Sequence, residues 1–246
     1  MDHVSEHGVR QRAGEKEKEV DRLGSASKLL DQFKTIDTFL VKQHVETFEA
    51  ITGIETENKY EVLGAKGGSC QFGPVMALEK SNFMWRMFCG NRRPWTIRLN
   101  QAPHVLFIER PFRWTMQEVR VYVGPEKQFL GVVKRSCAGY PFQRNFSLTD
   151  ASGEPVLQIY SPFFSFGWNF DLQDMDGRSL GKIKKEWAGL LQEMFTDADN
   201  FGVNFPERLP PSVKALVLAA VFLIDFSFFE DNDANSNRNS GRNRRR

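Results

Sequence analysis

Lys214-Ala-Leu-Val-Leu-Ala-Ala-Val-Phe-Leu-Ile-Asp-Phe-Ser-Phe-Phe-Glu230 carries two polar residues between its ends, Asp225 and Ser227. Pro210-Pro211-Ser212 punctuates the chain before it, with Ser212 as the candidate N-cap. As a helix this run is apolar all round, so it must be buried in protein or in lipid. Leu216, Leu218, Val221, Phe222, Ile224 and Phe226 are the residues that either setting would enclose. Residues 214–229 would span roughly 24 Å as a helix. A bilayer hydrocarbon core is about 30 Å thick and takes about 20 apolar residues. Asp225 in mid-run would cost a further ~2.5–3.5 kcal/mol on insertion scales. A helix threaded through a closed β-barrel meets the same demand without that mismatch. The sequence leaves both placements open.

Working outward, the stretch from Asn58 to about Phe205 has the texture of strands. Turn signals recur at Gly67-Gly68, Asn91 to Pro94, Asn100 to Pro103, Gly124-Pro125, Gly139 to Pro141, Ser152 to Pro155 and Asp176-Gly177. Between them lie β-branched and aromatic runs: Trp95–Leu99, Val105–Ile108, Glu118–Val123 and Pro155–Tyr160. In the third, Val119, Val121 and Val123 alternate with Glu118, Arg120 and Tyr122, the period-two pattern of a strand with one face inward. About ten to twelve strands in one domain predict a mainly β fold, a barrel or a sandwich.

From Ser25 to Ile51 the period reads as helical. Leu29, Leu30, Phe33, Ile36, Leu40, Val41, Val45, Phe48 and Ile51 recur at three- and four-residue steps, and Gly53 supplies a stop. An amphipathic helix is therefore expected over 25–53. Residues 1–24 and 231–246 hold too little apolar surface to offset ordering entropy and read as disordered tails around a 54–230 unit whose central helix is 212–230.

The formal charge is +2, from 33 Lys and Arg against 31 Asp and Glu. Five Arg fall in residues 238–246. Removing them leaves 28 basic residues against 31 acidic ones, so the basicity belongs to the tail and a nucleic-acid-binding core is not indicated. Arg242, Arg244, Arg245 and Arg246 make that tail a candidate tether to anionic lipid. Cys70, Cys89 and Cys137 are odd in number and lack metal-ligand spacing, which fits a reducing compartment. The N-terminus shows no apolar signal core. Hydrolase, kinase, P-loop and dinucleotide fingerprints do not occur. With four His, two of them His3 and His7 in the tail, there is poor material for a triad or metal cluster. The reading is not that of an enzyme.

Several segments resemble the phospholipid scramblase family, in the family's order. They are Glu57-Asn-Lys-Tyr60, Arg93-Pro-Trp-Thr-Ile-Arg98, Glu109-Arg-Pro111, Asp197-Ala-Asp-Asn-Phe-Gly202 with Phe205-Pro206, and Phe222-Leu-Ile-Asp-Phe226 with Phe228-Phe-Glu230. The resemblance covers about Leu29 to Glu230. It implies a tubby-like fold, a closed twelve-stranded barrel around a hydrophobic C-terminal helix. It also implies ATP-independent, calcium-responsive movement of phospholipids between leaflets, at the cytoplasmic face of a membrane, the plasma membrane first. The alternative is a soluble tubby-like module that docks on membranes or protein partners, alone or as an oligomer, or enters the nucleus.

The chain departs from the family in three places. No Pro precedes Pro74. The cysteine cluster that the family carries after Glu-Arg-Pro is replaced by Phe112-Arg-Trp-Thr-Met116, so Cys89 or Cys137 could each carry a single acyl chain. The family's calcium loop falls on Asp197 to Arg208, where Asp197 and Asp199 fill positions one and three but Arg208 stands at the bidentate twelfth. Phe201, Val203 and Phe205 alternate there with Asn200, Gly202 and Asn204, a strand pattern. The resemblance therefore implies at most a weak calcium site at Asp197, Asp199 and Asn200. The family's import segment resembles Gly181–Trp187, with Lys182, Lys184 and Lys185 basic. A charged strand face explains the same residues.

Overall fold

The structure is a computed structural model that describes residues 28–44, 58–82, 93–101, 104–114, 116–136, 144–161, 169–185 and 200–229. Twelve strands run in chain order: β1 (Thr38–His44), β2 (Lys59–Lys66), β3 (Ser69–Lys80), β4 (Trp95–Gln101), β5 (His104–Arg110), β6 (Glu118–Val123), β7 (Gln128–Arg135), β8 (Phe146–Asp150), β9 (Pro155–Tyr160), β10 (Asn169–Gln173), β11 (Ser179–Lys185) and β12 (Asn200–Asn204). Each pairs antiparallel with its sequence neighbours, and β1 pairs with β12 to close the barrel. Closure satisfies the backbone groups that an edge strand would leave open. The strands predicted at Glu118–Val123 and Pro155–Tyr160 have those bounds in the structure.

The final element, α1 (Pro211–Phe228), runs inside this barrel. Its ring contacts circle the wall. Phe222 meets Tyr60 of β2 at 5.0 Å, and Phe226 stacks on Trp95 of β4 at 4.5 Å. Phe228 meets Phe146 of β8 and Phe170 of β10, at 6.1 and 6.0 Å. Phe229, just past the helix, meets Phe201 of β12 at 5.4 Å. Leu216, Leu218, Val221, Phe222, Ile224 and Phe226 are each at most 1% exposed. By length and hydropathy the helix could cross a membrane, but 78% of it is buried in protein. The bilayer placement left open by the sequence is thus resolved in favour of the barrel bore.

The wall fits because its strands alternate. Val119, Val121 and Val123 of β6 and Phe170 and Leu172 of β10 point inward, all fully buried. At Gly131 of β7 the wall has no room for a side chain. A Cβ there would lie 2.2 Å from the Thr149 carbonyl and 3.1 Å from Leu216 Cδ1 of the helix, and the backbone φ is +149°. Gly131 sits at a bulge, since the β6–β7 register shifts between Val121 and Tyr122.

Both ionisable residues of the helix have partners. Lys214, fully buried, donates from Nζ to the carbonyls of Phe33 (2.9 Å), Lys34 (3.1 Å), Ile36 (2.7 Å) and Glu207 (2.6 Å). Those oxygens belong to turns outside the sheet ladder, so the ammonium supplies the donors they lack. Burial pulls the Lys214 pKa below the ordinary lysine value, against the opposing pull of Glu207 and Asp37. Near the other end, Asp225 accepts a 2.8 Å hydrogen bond from Tyr60 Oη.

Two sequence expectations are corrected. The N-cap is Pro210 rather than Ser212, with no side-chain cap. Pro211 fits the first helical position, where a missing N–H costs nothing. The amphipathic helix expected over 25–53 is helical only at residues 28–32 among the described residues, and residues 38–44 form β1. Residues 45–53 lie outside the described set. Phe39, Leu40 and Val41 are buried in succession. Such a run fits either period, and pairing decides it. Thr38–His44 is laddered to β2 on one side and Thr38–Lys42 to β12 on the other, the seam without which the barrel stays open. The helical spacing of Leu29, Phe33 and Ile36 does have a structural counterpart. These residues are at most 1% exposed at the near end, where Phe33 packs edge-on against Phe39 and Phe72.

Placing a charge in the bore tests this arrangement. Leu218→Arg or Phe222→Arg would bury an unpaired cation at a cost of several kcal/mol, a large part of the ~5–15 kcal/mol that stabilises a domain. Soluble folded protein is expected to be lost in expression trials. A cooperative thermal transition in soluble mutant protein would contradict the buried helix.

Candidate functional site

The two ends of the barrel differ. At one end the hairpin connections are short, from two residues (67–68) to five (174–178). This near end is where α1 begins. At the far end the connections are 45–58, 81–94, 111–117, 136–145, 161–168 and 186–199, none shorter than seven residues. The helix points its C-terminus at this long-loop mouth. Binding residues concentrate on loops held by a rigid scaffold, and the mouths of barrels are common ligand sites.

Cations stand on aromatic rings across the mouth. Arg93, at the head of β4, lies over Phe226 at 5.3 Å. Arg135, ending β7, and Arg144, before β8, lie over Phe228 at 4.7 and 5.7 Å. Lys185, ending β11, lies 4.1 Å over Phe229. Such pairs are worth about 0.5–2 kcal/mol each, more where desolvated. Cations are also favoured here by the negative end of the helix macrodipole. Arg93 is held in place by Glu79, with Nε–Oε1 at 3.1 Å and Nη2–Oε2 at 3.3 Å, both residues 1% exposed. The Asn58 N–H also donates to Glu79, at 3.1 Å. Burial and then the nearby Arg135 draw the Arg144 pKa below its usual value. Arg110, ending β5, donates to Gln117 Oε1. Basic groups from five strand ends thus gather at this end of the barrel: Arg93, Arg110 and Arg144 are buried, and the half-buried Arg135 and Lys185 are the ones placed to meet an anion such as phosphate.

The resemblance segments converge on this mouth. Of their described residues, 58–60 lead into β2, Arg93–Arg98 opens β4, Glu109–Pro111 closes β5, 200–202 open β12, and 222–229 cover the end of the helix and the residue after it. Only Phe205-Pro206 lies at the near end. Distant in sequence, they share the contacts just given: Tyr60 with Asp225, and Trp95 with Phe226.

The other predicted site residues scatter. Lys182, Lys184 and Lys185 lie on β11, where Lys182 is exposed and Lys185 turns to Phe229 at the mouth. They are a charged strand split between faces. Asn200 begins β12 and is buried at 6% exposure. Asp197, Asp199, Cys89, Cys137, Arg242, Arg244, Arg245 and Arg246 lie outside the described residues. An EF-hand-like loop does not fit Asp197 to Arg208, because residues 200–204 are an extended strand pairing with β1 and β11. Among the described residues no group of three His, Cys, Asp or Glu is placed to hold a metal. Sequence reasoning missed the cation–aromatic mouth and the lysine plug. Their signal was faint: charged or aromatic residues at the final position of a strand, meaningful only once the strands are assembled.

A family model described as Scramblase matches residues 20–231. Phospholipid scramblase 1 of Rattus norvegicus is 36% identical over 215 residues, 82% of this chain and 62% of that protein. Phospholipid scramblase 1 of Homo sapiens is 35% identical, over 82% of this chain and 65% of its own length. Phospholipid scramblase 2 of Bos taurus is also 35% identical, over 82% of this chain and 71% of its own. The chain therefore spans slightly less than two thirds of the first two relatives. No solved structure gives a significant match. The match takes in the whole barrel and its central helix, and it places this chain in the scramblase family.

Proposed function

We propose that this chain promotes exchange of phospholipids between the two leaflets of a membrane, without ATP and in response to calcium. The observation that carries the reading is the family match, which covers the barrel and its helix together and whose relatives are named phospholipid scramblases. The chemistry of the mouth supports it, since the half-buried Arg135 and Lys185 are cations able to meet a phosphate headgroup at an interface. The filled bore constrains the mechanism. With α1 on the barrel axis there is no lumen for a lipid to cross, so exchange would proceed at the outer surface, by easing headgroups past the hydrocarbon where the protein touches the bilayer. The substrates are phospholipids, anionic ones favoured by the basic mouth and the arginine tail, where each Lys or Arg near the surface adds ~1 kcal/mol. The site of action is the cytoplasmic face of a membrane. The same filled bore favours the second reading, a docking or nuclear interaction module without exchange activity.

Reconstitution separates the two. In liposomes carrying a fluorescent phospholipid in both leaflets, the wild-type chain is expected to expose the inner-leaflet fluorophore to a membrane-impermeant reductant. Loss of the outer-leaflet signal alone, in liposomes shown to carry bound protein, would overturn the exchange reading and leave the docking module.

The calcium response would draw on Asp197, Asp199 and Asn200 with solvent. Few oxygen ligands and no twelfth-position carboxylate limit such a site to a Kd of about 10⁻⁴–10⁻³ M. Titration calorimetry is expected to show that weak range and to lose it in Asp197→Ala. Submicromolar binding abolished by that substitution would contradict the proposed site.

A further inference from the structure

The β5–β6 connection at the long-loop mouth exposes apolar side chains that the fold does not need. Trp114 is 74% exposed and Met116 is 53% exposed. An exposed Trp beside an exposed Met is an unusual use of surface, because aromatic side chains of this size are ordinarily well covered. The indole is not loose. Phe112 meets it edge-on, with ring centroids 5.0 Å apart. The loop base is tied by Arg110 to Gln117 and by Gln117 Nε2, which donates to the Arg113 carbonyl at 3.4 Å. Presenting a preorganised aromatic to solvent lowers the entropy cost of burying it against a partner.

The charge around the loop identifies that partner. Residues 110–120 hold three Arg against one Glu. Glu118 is bridged by Arg113 at 3.0 Å and by Arg120 at 3.3 Å, so the pair of guanidiniums exceeds the one carboxylate. Arg135, Arg144 and Lys185 stand at the same end of the barrel. Tryptophan with an apolar body and a polar N–H, next to the exposed Arg113 and with Arg120 at the base of the same loop, matches the headgroup region of an anionic bilayer.

We infer that the 111–117 loop is a membrane-docking element, with Trp114 and Met116 entering the interfacial layer of an anionic phospholipid bilayer and the arginines beside them meeting lipid phosphates. The loop then sets the orientation of the protein, long-loop mouth toward the membrane and near end toward water. The inference rests on the proposed phospholipid function for the nature of the surface, not for its location on the protein.

The test uses the full-length chain and mixed phosphatidylcholine–phosphatidylserine vesicles. Trp114→Ala combined with Met116→Ser is expected to weaken vesicle binding about ten- to a hundredfold, the loss of two interfacial apolar side chains. Its thermal transition should match wild type, since both residues are exposed. Trp114→Phe should restore most of the affinity. Lipids brominated near the glycerol should quench part of the wild-type tryptophan emission, and that part should be missing in Trp114→Phe. Wild-type protein that ignores these vesicles, or a double variant that binds them as tightly as wild type, would overturn the inference. The lipid-exchange assay on the same vesicles keeps the two claims apart. Trp114-dependent binding without exchange refutes the function and leaves the docking loop. Exchange that persists with undiminished binding in the double variant refutes the loop and leaves the function.

Discussion

A helix with no polar face has to be enclosed, and the architecture of this protein follows from that one demand. From Val213 to Phe226 every residue of α1 is buried. No single packing partner can cover such a cylinder, because a neighbouring helix or sheet shields one side only. A closed barrel covers all sides at once, and its inward positions supply the Val, Leu, Ile and Phe that face the helix. The enclosure also explains the two charges. Lys214 sits where carbonyls of the chain entering and leaving the barrel need donors, and Asp225 sits where Tyr60 can reach it. In each case the hydrogen bonds offset part of the cost of burying the group.

Threading also polarises the molecule. Short hairpins and the lysine plug close the near end, so variation in loop length, and with it binding chemistry, falls to the far end. There the helix and its C-cap present Phe226, Phe228 and Phe229, and the wall answers with Arg93, Arg135, Arg144 and Lys185. The exposed Trp114 and Met116 project from the same rim. Under the proposed function, a bore filled by the chain itself would leave lipid to be handled from outside, and the mouth is where aromatic and basic groups are gathered.

Strands with strict alternation were legible from sequence, as Glu118–Val123 shows, because period two has a single structural meaning. The central helix was legible as an object needing enclosure, and its shortness against a bilayer argued for protein, but only the ring of contacts from Tyr60, Trp95, Phe146, Phe170 and Phe201 decides the matter. β1 was misread for a physical reason. Phe39-Leu40-Val41 is a continuous apolar run with no period of its own, and what makes it a strand is the need to join β2 to β12, a long-range constraint invisible in a local window. The mouth was hidden likewise. Arg93, Arg135, Arg144 and Lys185 are far apart in sequence, and only closure brings them together. The resemblance segments were recognisable as strings, but nothing in their spacing revealed that most of them meet at one end of a barrel.

Amide hydrogen exchange across residues 211–228, measured with and without phospholipid vesicles, addresses the enclosed helix most directly. A helix laddered inside a closed barrel exchanges only when the whole domain opens, so these amides should be among the slowest in the chain, in water alone, and vesicles should leave them unchanged. Rapid exchange in water that becomes protected when vesicles are added would contradict the account, because the helix would then be finding its enclosure in the bilayer.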